Sequence, residues 1–200
     1  MPKRAFDFVF SIFALVLVLP LLVVLSAWIK LDSPGPIFFR QVRVGLHGRT
    51  FRIFKLRTMR TASGAPAPQV TVGADPRITA AGRLLRAYKL DELPQFFNVL
   101  IGEMSVVGPR PEVPRYVAIY PPDIKNLVLS VRPGITDAAS IAYRDESALL
   151  AGSDDPERFY VETVLPAKLR YAADYVRQQS FGLDMCIIWR TVVAVFTARR

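Results

Sequence analysis

The chain has 200 residues, with 26 Lys and Arg against 17 Asp and Glu, a formal charge of +9 at pH 7 and yet a positive mean hydropathy of +0.27. Basicity together with apolarity fits a surface that meets lipid and anionic groups at once, and the length suits one compact domain plus an anchor. The single cysteine, Cys186, excludes a disulfide framework and a cysteine-based metal site; it points to reducing surroundings such as the cytoplasm and is expected as a small buried hydrophobe.

From Phe8 to Ile29 no side chain is charged. As a helix this run would extend about 33 Å, against a hydrocarbon core of roughly 30 Å. It exceeds a signal-peptide core, and no small-x-small cleavage site follows. Residues 1–31 are therefore expected to form a membrane anchor and residues 32–200 a catalytic domain. Pro20 has no N–H for the carbonyl of Val16, which predicts a kink. Lys3 and Arg4 precede the run, and Lys30, Arg40 and Arg43 follow it. A simple span should be basic on one side only. Two basic ends favour a re-entrant helix-break-helix that enters and leaves by one face; a kinked single span is the alternative.

Asp32 to Pro36 reads as a turn. Ile37 to Val44 and Thr50 to Leu56 read as short strands of a hairpin around Gly45 to Gly48. Arg40 to Arg60 is basic with no acidic residue, and continued strand geometry to Met59 would put Lys55 and Arg57 on one face. Thr61 to Pro76 is rich in Ala, Pro, Gly and Thr and is expected as a mobile loop. Thr79 is a cap for a helix from Ala80 to about Tyr88, although Gly82 weakens it. Leu93 to Ile101 reads as a short apolar helix and Gly102 to Pro111 as a rigid loop. Asp155-Pro156-Glu157 starts another helix, which Pro166 interrupts or restarts and which runs to about Gln178. Leu183 to Phe196 is apolar on most sides and suits a core or an interfacial helix. The expected class is thus α+β and mostly helical: a re-entrant membrane helix kinked at Pro20, amphipathic interfacial helices, and a small globular cytoplasmic domain with a short β segment.

The chemistry concentrates in Asp91-Glu92-Leu93-Pro94-Gln95. Pro94 suits a first helical turn, so Asp91 is expected near a helix N-terminus, ionised by free N–H groups and the helix dipole. Consecutive helical side chains diverge by about 100°. One acid can hold a metal or attack phosphorus while the other moves a proton. In isolation the same five residues would be a cap and a solvated acid. Their basic company argues otherwise: Lys55 and Arg57, Arg86, Arg110 between two prolines, and Arg132 before Pro133-Gly134. Guanidinium groups fixed in proline-stiffened loops suit phosphate.

No phosphate-loop, dinucleotide or H-E-x-x-H motif occurs, and the only histidine, His47, sits in a turn where solvation is expected. Any metal should be a hard, oxygen-bound ion such as Mg²⁺. The residues alone also admit a non-catalytic protein that binds anionic lipid or nucleic acid through its basic face, and a membrane phosphohydrolase.

Several blocks resemble the bacterial sugar transferases, the monotopic phosphoglycosyl transferases: SPGPIFFRQVRVG (33–45), FRIFKLRTM (51–59), DPRITAAGRLLR (75–86), LDELPQFFNVLIGEMSVVGPRPE (90–112), RPGIT (132–136) and YVRQQSFGLD (175–184). The resemblance implies transfer of a sugar 1-phosphate from a UDP-sugar to a polyprenol phosphate such as undecaprenyl phosphate, with UMP released, as the first membrane step of bacterial glycoconjugate synthesis. It implies Asp91 as covalent nucleophile and Mg²⁺ ligand, and Glu92 as the neighbour that assists proton removal from the lipid phosphate. Lys55, Arg86, Arg110 and Arg132 fall on the family's basic positions, and Asp184 on a further acidic one near the site; Arg57 is counted with the substrate-binding residues. Membrane lipid is an expected partner and nucleic acid is not, with a homodimer left open; the expected location is the cytoplasmic face of a bacterial inner membrane. Two departures stand out. Leu19 replaces the Ser often found before the membrane proline, and Asp137-Ala138-Ala139 replaces the Gly-x-Ala that often follows RPGIT, a change placed to affect the choice of sugar.

Overall fold

In a computed structural model of the chain, residues 2–60, 72, 73 and 75–197 are described; most of the expected loop 61–76 lies outside them. Helix α1 (Pro2–Asp32) is a single helix with Pro20 inside it. Its buried residues Asp7, Ser11, Leu15, Leu22, Leu25 and Ile29 recur at intervals of three, four or seven, which makes one stripe along the helix. Much of the rest of its surface between the charged ends is exposed and apolar, with Phe13, Val16, Leu17, Val23 and Val24 among its residues. By length and composition this helix is able to cross a membrane.

Both ends of α1 are tied to the same globular body. Near the start, Arg4 donates to the carbonyls of Val99 (2.6 Å) and Leu100 (3.1 Å). Asp7 accepts from the Val106 amide (3.0 Å) and the Ser105 hydroxyl (2.8 Å). At the far end, Asp32 accepts from the Ala81 amide (3.1 Å), and Arg57 donates to the carbonyls of Ile29, Ser33 and Pro34. Carbonyls at a helix C-terminus lack intrahelical partners, and a guanidinium satisfies several together.

Strands β1 (Phe38–Val44) and β2 (Thr50–Leu56) pair antiparallel, Phe38 opposite Leu56 and Val44 opposite Thr50. The turn between them uses left-handed His47 and Gly48; His47 is exposed. Helix α2 (Ala80–Ala87) is capped by the Thr79 hydroxyl, which accepts from the Gly82 amide at 3.0 Å. Gly82 has a packing reason to be there: a Cβ would sit 2.0 Å from the Thr58 carbonyl oxygen. Helix α3 (Gln95–Ile101) stops at left-handed Gly102.

The segment expected as one rigid loop contains strand β3 (Ser105–Val107), which pairs in parallel with β4 (Gly134–Thr136). Three-residue strands are too short to show a period. Helices α4 (Pro114–Ala118) and α5 (Pro122–Val128) separate them; α6 (Ala138–Ala142), α7 (Glu146–Ala151) and α8 (Pro156–Phe159) follow. Helix α8 leads through a π turn (Tyr160–Val164) into α9 (Leu165–Gln178). The widened turn stands directly before Pro166, which has no N–H for the carbonyl of Glu162. Helix α10 (Phe181–Thr197) buries Asp184 and Ile187 and exposes Phe181 and Trp189. Cys186 is exposed, against expectation: one residue from Ile187, it points about 100° away from the buried stripe.

Three apolar clusters form the core. One joins α1 to Leu56 and Leu85, a second packs β2, α3 and β3 against α10, and a third gathers Tyr116, Tyr120, Leu150, Tyr160 and Leu165.

Candidate active site

Between α2 and α3 the chain passes Lys89, in left-handed backbone at φ 55, and then a 3₁₀ turn, Leu90–Glu92. A lysine in this conformation is strained, and such strain gathers at functional sites. Pro94 stands at the cap of α3, so the two acids lie just outside that helix rather than in its first turn.

Asp91 is buried, and its Oδ1 has no hydrogen-bond partner among the described residues; Oδ2 faces Lys55 Nζ at 3.6 Å. The expectation that helix N–H groups keep it ionised does not hold. Burial pushes its carboxyl above the ordinary range, with Lys55 pulling the other way. An ionised carboxylate of this kind is a better nucleophile than a solvated one.

Glu92 has the opposite surroundings. Arg110 grips it through two bonds, Nη1 to Oε2 at 3.1 Å and Nη2 to Oε1 at 2.5 Å, and Lys55 Nζ adds a third at 2.9 Å. Burial raises its pKa, but the charges of Arg110 and then Lys55 outweigh it and hold the carboxyl well below its ordinary value. The same pairing raises Arg110. So held, Glu92 fixes Lys55 and Arg110 in the wall of the cavity that Asp91 also lines.

Arg110 is anchored through its backbone as well. Its amide donates to Asp137 Oδ2 at 3.1 Å, and Asp137 Oδ1 caps α6 by accepting from the Ser140 amide at 2.6 Å. Arg43 braces the same loop by donating to the Pro111 carbonyl at 3.0 Å. The sequence pointed to Asp137 only as a departure bearing on the choice of sugar, and gave Arg43 no place in the site. An N-cap signal at Asp137, one residue before a short helix, was available to find the first.

Asp91, Glu92, Lys55, Arg86 and Arg110 line one cavity of about 1020 Å³, whose wall continues along α6 to Arg144 and to Ile188 and Val192 of α10. The structure thus brings together five of the expected site residues. Arg57 also borders this cavity, but β2 ends at Leu56, so strand alternation does not carry through it; its guanidinium turns inward to the C-terminal carbonyls of α1. Arg132 lies outside the cavity lining and donates to the Gly102 carbonyl at 2.9 Å. Asp184 is outside as well, bound by Lys3 at 2.5 Å and by the Tyr175 hydroxyl at 2.7 Å, so it ties α1 to α9 and α10.

Among the described residues there is no cluster of three or more His, Cys, Asp or Glu. A hard cation such as Mg²⁺ takes one or two carboxylates and completes its shell with water and substrate phosphates. The unpartnered Asp91 Oδ1 fits that requirement.

A family model described as bacterial sugar transferase matches residues 1–198. The chain is 36% identical over 197 residues to a UDP-N-acetylgalactosamine-undecaprenyl-phosphate N-acetylgalactosaminephosphotransferase of Aeromonas hydrophila, covering 98% of this chain and 44% of that protein. It is 39% identical over 199 residues to a UDP-glucose:undecaprenyl-phosphate glucose-1-phosphate transferase of Caulobacter vibrioides, covering 98% and 70%. A protein of the same description from Escherichia coli K12 is 36% identical, with 97% and 40% covered. The chain therefore spans less than half the length of the Aeromonas and Escherichia proteins.

Proposed function

The chain belongs to the bacterial sugar transferase family, and from that premise we propose that it moves a sugar 1-phosphate from a UDP-sugar to a polyprenol phosphate, giving a polyprenol diphosphate sugar and UMP. The observation that carries the proposal is the unpaired, buried Oδ1 of Asp91 in a cavity that also presents Lys55, Arg86 and Arg110.

Asp91 attacks the phosphorus that bears the sugar. A bond forms from its carboxylate oxygen to that phosphorus, and the bond to the bridging oxygen breaks, so UMP leaves with the electron pair. An oxygen of the polyprenol phosphate then attacks the same phosphorus, and the Asp91–phosphorus bond breaks to restore the carboxylate. Mg²⁺ held by Asp91 would supply charge neutralisation at the phosphates. Arg86, Arg110 and Lys55 offset the same charge from fixed positions, and Glu92 holds the last two in place.

The two tied ends of α1 support a re-entrant anchor, because one globular body cannot stand on both faces of a bilayer. The donor is a soluble nucleotide and the acceptor a lipid, so the site belongs at the headgroups of the cytoplasmic face. Turnover by the full chain in detergent, with Mg²⁺, a UDP-sugar panel and polyprenol phosphate, tests the proposal. Asp91→Asn should lose activity by about 10⁴-fold or more; turnover retained in that variant contradicts it, and UMP release that does not depend on the lipid phosphate marks a hydrolase instead.

A further inference from the structure

Past its charged end, the cavity is walled by α6 and the turn that follows. Ser140 on α6 and Arg144, one residue beyond the Tyr143 cap, both line it. Each carries a buried polar atom with no protein partner among the described residues: Ser140 Oγ and Arg144 Nη2. The adjacent acid is already engaged, since Glu146 pairs with Lys168. Two unmet donors in a cavity wall are costly until an acceptor arrives.

We infer that Ser140 and Arg144 select the donor by its sugar, favouring UDP-sugars that carry an sp² oxygen on the ring, either an N-acyl carbonyl or a carboxylate. The inference rests on the transferase reading above. Phosphate is provided for elsewhere in the cavity by Lys55, Arg86 and Arg110. Position then separates sugar from uracil. The Asp137 carboxylate holds the Arg110 amide on one oxygen and the Ser140 amide on the other, so α6 stands directly beside the arginine at the attacked phosphorus. That phosphorus carries the sugar, whereas uracil lies beyond a second phosphate and a ribose. Asp137 is the positioning residue that keeps the two sets of contacts in register.

The test is equilibrium binding of the detergent-purified full chain to UDP-glucose, UDP-galactose, UDP-N-acetylglucosamine, UDP-N-acetylgalactosamine, UDP-glucuronate and UMP, with turnover measured in parallel. The unaltered protein should bind the N-acetyl sugars or the glucuronate at least about tenfold tighter than the hydroxyl-only sugars, a difference near 1.4 kcal/mol. The preferred arm tells carbonyl from carboxylate. Ser140→Ala and Arg144→Gln should each shrink that ratio to about twofold or less while leaving UMP affinity unchanged; Arg144→Lys takes the place of Arg144→Gln if the latter misfolds. No preference in the unaltered protein, a preference unchanged in the variants, or an equal loss for UMP overturns the inference. Selective binding without turnover would keep the inference and reject the transfer reaction. Turnover without selectivity would do the reverse.

Discussion

The seam along α1 and the turn at Asp91 are both built from buried and half-buried charges close to apolar helices, yet they use them oppositely. In the seam, Lys3, Arg4, Asp7, Asp32 and Arg57 each end on a protein partner. At the Asp91 turn one carboxylate is bound by two cations while its neighbour keeps an oxygen free, beside a lysine in strained backbone. In the seam the charges are spent on protein partners, Arg57 through its two terminal nitrogens while its Nε has none among the described residues. The unpartnered oxygen of Asp91 differs in belonging to a residue that lines the cavity, where a ligand can meet it.

Arg110→Ala should break the contrast most severely. Loss of one partner leaves Glu92 as a buried, under-compensated charge, which costs about 3–5 kcal/mol, and turnover should fall by about 10³-fold on the order of a lost charge-stabilising donor. Chemical denaturation and turnover per folded molecule measure the two effects, and Arg110→Ala with Glu92→Gln should recover much of the stability but none of the activity. In the seam, Asp7→Ala removes two hydrogen bonds to a buried carboxylate and should cost about 3 kcal/mol, with turnover per folded molecule within about threefold of the unaltered chain.

Arg57→Ala should cost about 2–3 kcal/mol by leaving the C-terminal carbonyls of α1 unmet. Its substrate affinity is the sharper test: an unchanged KM for the donor keeps Arg57 in the seam, while a large rise returns it to the site. The smallest effect is expected at Lys89→Gly, where relief of left-handed strain should stabilise the chain by about 1 kcal/mol or less. A thermal melt that moves down instead would mean that the Lys89 side chain, not its backbone, matters there.

Much of this contrast was legible in the sequence, though unevenly. The hairpin, the Thr79 cap, the helix after Asp155 and the disturbance at Pro166 follow from local rules and appear within a residue or two of their expected bounds. The parallel pair of three-residue strands, β3 with β4, depends on close backbone approach at Gly108 and Gly134, which no periodicity reports; a Cβ on Gly134 would meet the Gly108 amide at 2.1 Å. The blocks identified Asp91, Glu92, Lys55, Arg86 and Arg110 as residues of one site, but spacing could not say which basic residues face the cavity. Arg57, Arg132 and Asp184 sit in equally characteristic blocks and spend their charges on carbonyls, a lysine and a tyrosine. Nor could sequence divide labour between the acids, because burial raises Asp91 while partners 18 and 37 residues away, Arg110 and Lys55, outweigh burial at Glu92.

The central claim is that Asp91 becomes covalently phosphorylated by the donor. Intact-protein mass measurement after incubation of the full chain with Mg²⁺ and UDP-sugars, with no acceptor present, tests it directly. The unaltered chain should gain the mass of one sugar phosphate at Asp91 and lose it when polyprenol phosphate is added, and Asp91→Asn should gain nothing. An adduct that forms equally in Asp91→Asn, or turnover by an unaltered chain that never carries one even when quenched at early times, would contradict it.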